Sequence, residues 1–167
     1  MNWVFDWNEW FMIITSFIAF SVALMIRRHF QSLTFLILWI YSIAFVETID
    51  YALAGSSFKV YYCADNITYE PVAALIHIFL YPSFSFIFLY LYDKWNIQKG
   101  KIIFYILGWT VFSILFEWLN VINGVFTYTG WKLIYSIPTY PIASLLLIKV
   151  YHFIKKSLSL HFINNET

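Results

Sequence analysis

Five stretches of about twenty mostly apolar residues, separated by short polar segments, constrain this 167-residue chain more than any other feature. They cover residues 8–25, 33–54, 71–92, 102–122 and 133–153. A helix rises about 1.5 Å per residue, so each is long enough to cross ~30 Å of hydrocarbon. Each has a clear stop: Arg27-Arg28-His29, Gly55-Ser56-Ser57, Asp93-Lys94, Asn123-Gly124 and Lys155-Lys156 in turn. Pro71 opens the third, since proline is well tolerated in a first helical turn. Composition points the same way. Only 11% of residues are charged and 62% are hydrophobic, whereas a soluble domain carries roughly a quarter charged residues. In water such a surface would expose large aggregating patches; in a bilayer it would not. The expected fold is all-α: a polytopic bundle of five transmembrane helices forming a single integral membrane domain over residues 1–167.

The basic residues orient this bundle. Arg27 and Arg28 follow the first stretch, Lys94, Lys99 and Lys101 join the third to the fourth, and Lys155 and Lys156 follow the fifth. The other side carries Lys59 and Lys132 among Asp6, Glu9, Asp65 and Glu70. Short loops rich in Lys and Arg stay in the cytoplasm, which predicts an N-terminus outside and a C-terminus in the cytoplasm. The first stretch does not read as a cleaved signal peptide. Its acids precede the apolar run and its arginines follow, the reverse of the usual order.

The long outer connection, residues 55–70, carries Phe58, Tyr61, Tyr62 and Tyr69, which suggests that it folds back onto the helix ends or lies in the interface. Its Asn66-Ile67-Thr68 matches a glycosylation triplet, a pattern too common by chance to carry weight. The single Cys63 excludes an intramolecular disulfide and a cysteine-based zinc site.

Ionisable residues inside spans are costly and usually face a bundle interior or a cavity. Glu47, Asp50, His77, Glu117 and Lys149 are the instances here. Lys149 is near enough to the cytoplasmic end to reach the headgroups. From the helical rise, Glu47 lies roughly 10 Å, His77 roughly 9 Å and Glu117 roughly 8 Å below the outer ends of their helices. Asp50 shares the face of Glu47 one turn higher, and Asn120 extends that of Glu117. Tyr135, Ser136 and Tyr140 come within reach from the fifth helix, with Lys132 at the rim. Pro82, Pro138 and Pro141 interrupt the third and fifth helices near this layer, and the carbonyls they free need partners.

Glu117, Glu47 and Asp50 are accordingly the candidate catalytic acids, with His77, Asn120, Tyr135 and Tyr140 as candidate ligand contacts. Neighbouring carboxyls in a poor dielectric can divide into an acid and a base. The oxygens with His77 could also take a cation, but no H-x-x-x-H or E-x-x-H pattern supports a metal, so none is assigned. The plainest alternative is an interhelical hydrogen-bond network. Trp39, Tyr41, Trp109, Trp118 and Tyr140 either pack the bundle or line a pocket for an isoprenoid or acyl chain.

From the outer loop onward the chain resembles a family of small, uncharacterised multi-pass membrane proteins of spore-forming Gram-positive bacteria. The residues that carry this are Asn66-Ile67-Thr68-Tyr69-Glu70 before Tyr81-Pro82, and Phe116-Glu117-Trp118 before Tyr128-Thr129-Gly130-Trp131 and Tyr135-Ser136-Ile137-Pro138. The resemblance implies the bacterial cytoplasmic membrane and brings no activity or cofactor with it. Three readings stay open. One is a noncatalytic protein whose outer-leaflet cluster binds an ion, a lipid headgroup or a partner helix. The second is an enzyme acting on a lipid or isoprenoid by acid catalysis. The third is an oligomeric proton- or cation-coupled transporter. Nucleic acid is no expected partner, because the basic residues are scattered at helix ends rather than gathered in a patch.

Overall fold

The computed structural model describes residues 5–55, 59–64 and 73–165. Expectations placed on Phe58, Asp65, Asn66-Ile67-Thr68, Tyr69, Glu70 and Pro71 lie outside the described residues. Helix α1 is Trp7–Ile26, followed by a 3-10 turn Arg27–His29; α2 is Ser32–Asp50, continued by a wide π turn Tyr51–Gly55. Strand β1 is Tyr61–Cys63. A single turn Ala73–Leu75 and a π turn Ile76–Leu80 lead into α3, Tyr81–Lys94. Helix α4 is Lys101–Ile122, β2 is Phe126–Tyr128, and a 3-10 turn Leu133–Tyr135 opens α5, Ser136–Asn165. Among the described residues, five helical segments are long and apolar enough to cross a membrane. The chain is a multi-pass membrane protein.

Local chemistry explains the boundaries. Asp6 caps α1: its carboxylate accepts from the Asn8 amide at 3.0 Å while Glu9 accepts from the Asp6 amide at 2.8 Å, a reciprocal capping box. Pro82 has no amide hydrogen to return to the preceding turn, and the backbone widens over Ile76–Leu80 immediately before it. Ser83 donates to the Phe79 carbonyl at 2.5 Å, supplying a hydroxyl partner inside that loosened stretch. Pro138 stands in the first turn of α5 and Pro141 inside it without ending the helix. The expected end of the fifth helix near residue 153 is corrected: α5 continues to Asn165. Lys155 and Lys156 end the apolar run, but they are good helix formers and no Gly or Pro follows them.

The third span is the centre. Within Ile76–Lys94, 44% of the span's most apolar window is buried, against 28% or less for each of the others. α1 packs on α3 and its π turn, α2 lies against α3, and α4 pairs with α5. The buried face of α1 is small, with Ser16, Ala19 and Ala23 beside Met12, which allows close backbone approach. α3 and α4 meet through rings instead: Phe84 on Phe112 and Phe116, and Phe88 on Trp109 and Tyr105. Phe86 is fully enclosed, stacked on Phe35 at 4.2 Å and Trp39 at 5.7 Å.

The two ends of the bundle differ. At one, Asp93 gathers the ends of three elements: it accepts from His29 Nε2 at 3.3 Å and from Tyr151, with Lys155 Nζ at 3.6 Å. At the other, β1 and β2 pair antiparallel, Tyr61 opposite Tyr128 and Cys63 opposite Phe126. The all-helical expectation held no strands, since three-residue strands leave no period to read. The pairing sets the described part of the connection after α2 against the connection after α4, to which β2 belongs. Trp7 Nε1 donates to Asn123 Oδ1 at 2.6 Å, bringing the start of α1 to the same end.

Candidate functional site

The π turn before α3 turns His77 toward the last two turns of α2. Its Nδ1 lies 2.7 Å from Glu47 Oε1 and its Nε2 2.8 Å from Asp50 Oδ2. An imidazole with an acidic oxygen at each nitrogen donates twice only as imidazolium. In that state the group carries one positive and two negative charges. Tyr61 donates its hydroxyl to the remaining Asp50 oxygen, Oδ1, from β1. The exposures differ sharply: the side chain of His77 is 15% exposed, Asp50 22% and Glu47 55%. The contacts run in series, Glu47 to His77 to Asp50 to Tyr61, with the most exposed group, Glu47, at one end.

Glu117 forms a second centre. It is buried in α4 and accepts three hydroxyl hydrogen bonds: from Tyr128 at 2.5 Å and Ser136 at 2.8 Å on Oε1, and from Tyr140 at 2.6 Å on Oε2. Trp131 Nε1 donates to the Ser136 hydroxyl at 3.0 Å, which orders it as a donor toward Glu117. Hydroxyl donors offset part of the desolvation of a buried carboxylate without adding a countercharge. Tyr81 lies beside the first centre, its ring tilted against that of His77 at 6.0 Å. Outside the spans, Tyr61 is pushed well above the usual tyrosine range by burial and then by the charge of Asp50. Tyr128 rises likewise through burial and its bond to Glu117. Both remain phenols and hence donors.

The residues expected to share one layer fall into two clusters. Glu47, Asp50 and His77 come together, and Glu117 meets Tyr140 and Ser136. Asn120 stands apart: it is buried, donates to the Phe116 carbonyl at 2.7 Å, and lends its own carbonyl to the Val125 amide. Tyr135 is 47% exposed and edge-on to Trp131, turned away from the carboxylates. Lys132 is exposed before the 3-10 turn, and Lys149 is exposed on α5. The five aromatics do not converge. Trp39 packs on Phe86, Tyr41 stacks on Phe45, Trp118 is 49% exposed, Trp109 faces α3, and only Tyr140 reaches the site.

Sequence reasoning missed Tyr61, Tyr128 and Trp131 as site residues. With 13 tyrosines in the chain, residue type alone does not mark the two that matter. The signal that could have found them is their place in the two connections at the acidic ends.

The geometry disfavours one divalent ion shared by Glu47, Asp50 and His77. The two carboxylates occupy opposite nitrogens of the ring, and the second Asp50 oxygen already accepts from Tyr61. Among the described residues no group of three acidic, histidine or cysteine side chains is arranged to hold a metal. No protein-family model, curated protein or solved structure matches the chain.

Proposed function

We propose that this chain is a noncatalytic subunit of a membrane assembly, and that its acidic outer-leaflet layer receives a partner helix bearing a basic side chain. The reading includes the orientation argued from the basic loops, with the N-terminal end of α1 outside and the end of α5 cytoplasmic. It places the protein in a bacterial cytoplasmic membrane, on the strength of the sequence resemblance alone.

The observation that carries the proposal is the position of Glu47. One of its oxygens is held by His77, while 55% of its side chain is open on the exposed side of α2, the side that meets lipid at the depth argued from the sequence. An acid open to hydrocarbon is costly unless something pairs with it. Around it runs an exposed stripe of Ile40, Ala44, Thr48 and Tyr51, at the spacing of one helix face. Ala44, one turn below Glu47, leaves room for another backbone. The layer is also net negative: one imidazolium stands among Glu47, Asp50 and Glu117, and no Lys or Arg pairs with these acids among the described residues. A second copy of the chain is a poor occupant, because a two-fold contact here sets Glu47 against Glu47.

Acid catalysis by Glu117 has less support. All three of its contacts are donors to its oxygens, which suits a resident carboxylate rather than a group that delivers a proton.

The test uses the protein in nanodiscs and a synthetic polyleucine helix with one lysine at the depth of Glu47. Energy transfer between labels should report binding of the lysine helix above that of an all-leucine helix, and Glu47→Gln should abolish the difference. Equal binding of both helices, or no response to Glu47→Gln, would sink the proposal.

A further inference from the structure

At the opposite end of the bundle an apolar groove of about 380 Å³ runs between α3 and α4. It is lined by Leu91 and Trp95 on one side and by Phe104, Tyr105, Gly108 and Phe112 on the other. Gly108 makes the groove: a Cβ built there meets nothing within 4 Å. The stripe from Phe112 through Gly108 to Phe104 and Tyr105 continues on the same helix face to Lys101, the first residue of α4. Lys94, the last residue of α3, and Lys99, in the connection to α4, are also exposed, the Lys94 ammonium lying over the Tyr90 ring at 5.4 Å. Asp93 is the single acid in residues 71–116, and its carboxylate is engaged by His29, Tyr151 and Lys155. The mouth is therefore positive and unneutralised among the described residues. Trp95, 56% exposed and edge-on to Tyr105, sits where an indole favours the headgroup level.

We propose that this groove seats one acyl chain of an anionic phospholipid, with the lipid phosphate held at Lys101 and neighbouring lysines. The two halves of the site match the two halves of such a lipid. A groove of apolar rings beside a missing side chain accepts a flexible hydrocarbon. The ammonium of Lys101 on the groove's own helix face, with Lys99 in the connection before it, selects a negative headgroup over a zwitterionic one. The site is independent of Glu47 and of the partner helix.

The experiment is native mass spectrometry of the protein released from nanodiscs of equal phosphatidylcholine and phosphatidylglycerol. The wild type should retain one lipid, predominantly phosphatidylglycerol. Lys101→Gln should cut that preference roughly fivefold while a lipid is still retained. Gly108→Phe should remove the retained lipid itself, because the ring fills the groove from an unobstructed position. Far-UV circular dichroism of both variants confirms that the helices persist. Equal retention of the two lipids by the wild type would overturn the proposal. So would retention unaffected by Gly108→Phe in a folded variant, or a preference unchanged by Lys101→Gln.

Discussion

Two phenols, Tyr61 and Tyr128, show how single residues stabilise this fold. Each lies in a strand, outside the spans, and each donates to a carboxylate that a helix carries inward. Both are raised above the usual range, chiefly by burial and then by the acid they serve. The linkage has a definite sign. A phenol that holds its proton more tightly when folded contributes fully below the unfolded value of about 10, and that contribution is lost as pH rises beyond it. The protein should therefore lose stability above about pH 10. Phenolate absorbance should show these two tyrosines ionising only together with unfolding. Tyr128→Phe should cost about 1.5 kcal/mol, the lower end for a hydrogen bond to a charged group, and should flatten the alkaline limb. An unchanged limb in that variant would remove Tyr128 from the account. Glu47, Asp50, His77 and Glu117 were legible in the sequence because an ionisable group in an apolar stretch has few tolerable surroundings. Their phenol partners were not, since Tyr is at home at any membrane interface.

At the scale of elements, the spans were readable from length and hydropathy, while the irregular pieces that position the site were not. Pro82 marked an interruption, but the sequence does not say that the backbone would widen rather than kink, nor that widening aims His77 at α2. The strands were hidden for a different reason: their partners lie far apart in the chain, and each is three residues long. Their register makes a sharp prediction. The Ala64 amide donates to the Val125 carbonyl at 2.8 Å, so Cys63 and Phe126 form the non-hydrogen-bonded kind of pair, where side chains are closest. Phe126→Cys should then oxidise with the native Cys63 into an internal disulfide, seen as a mobility shift on a non-reducing gel. Persistence of two free thiols after mild oxidation would contradict the register.

For the molecule as a whole, the structure places one acid-rich end and one base-rich end on a bundle whose centre is α3. Which end meets the cytoplasm is open to direct measurement. In a Cys63→Ala background, Lys132→Cys should react with a membrane-impermeant maleimide in intact cells, and Lys99→Cys should react only after the membrane is opened. The reverse pattern would invert the orientation and, with it, the leaflet assigned to Glu47.

The bridge from α2 to His77 has a consequence for how the chain is made. Synthesis delivers Glu47 and Asp50 to the insertion machinery before His77 exists, and two acids near a helix end are a poor passenger for a bilayer. The histidine that pairs with both arrives about 30 residues after Glu47, by the separation of that contact. The second and third helices are thus expected to leave the machinery as a hairpin rather than one at a time. A chain truncated after residue 60 should integrate α2 less completely than one extended to residue 96, by the fraction resistant to alkaline extraction. Equal integration of the two would show that α2 enters alone. The clasp of β1 and β2 waits later still, until α4 and the connection after it have been made, and it joins two loops that no single hairpin contains.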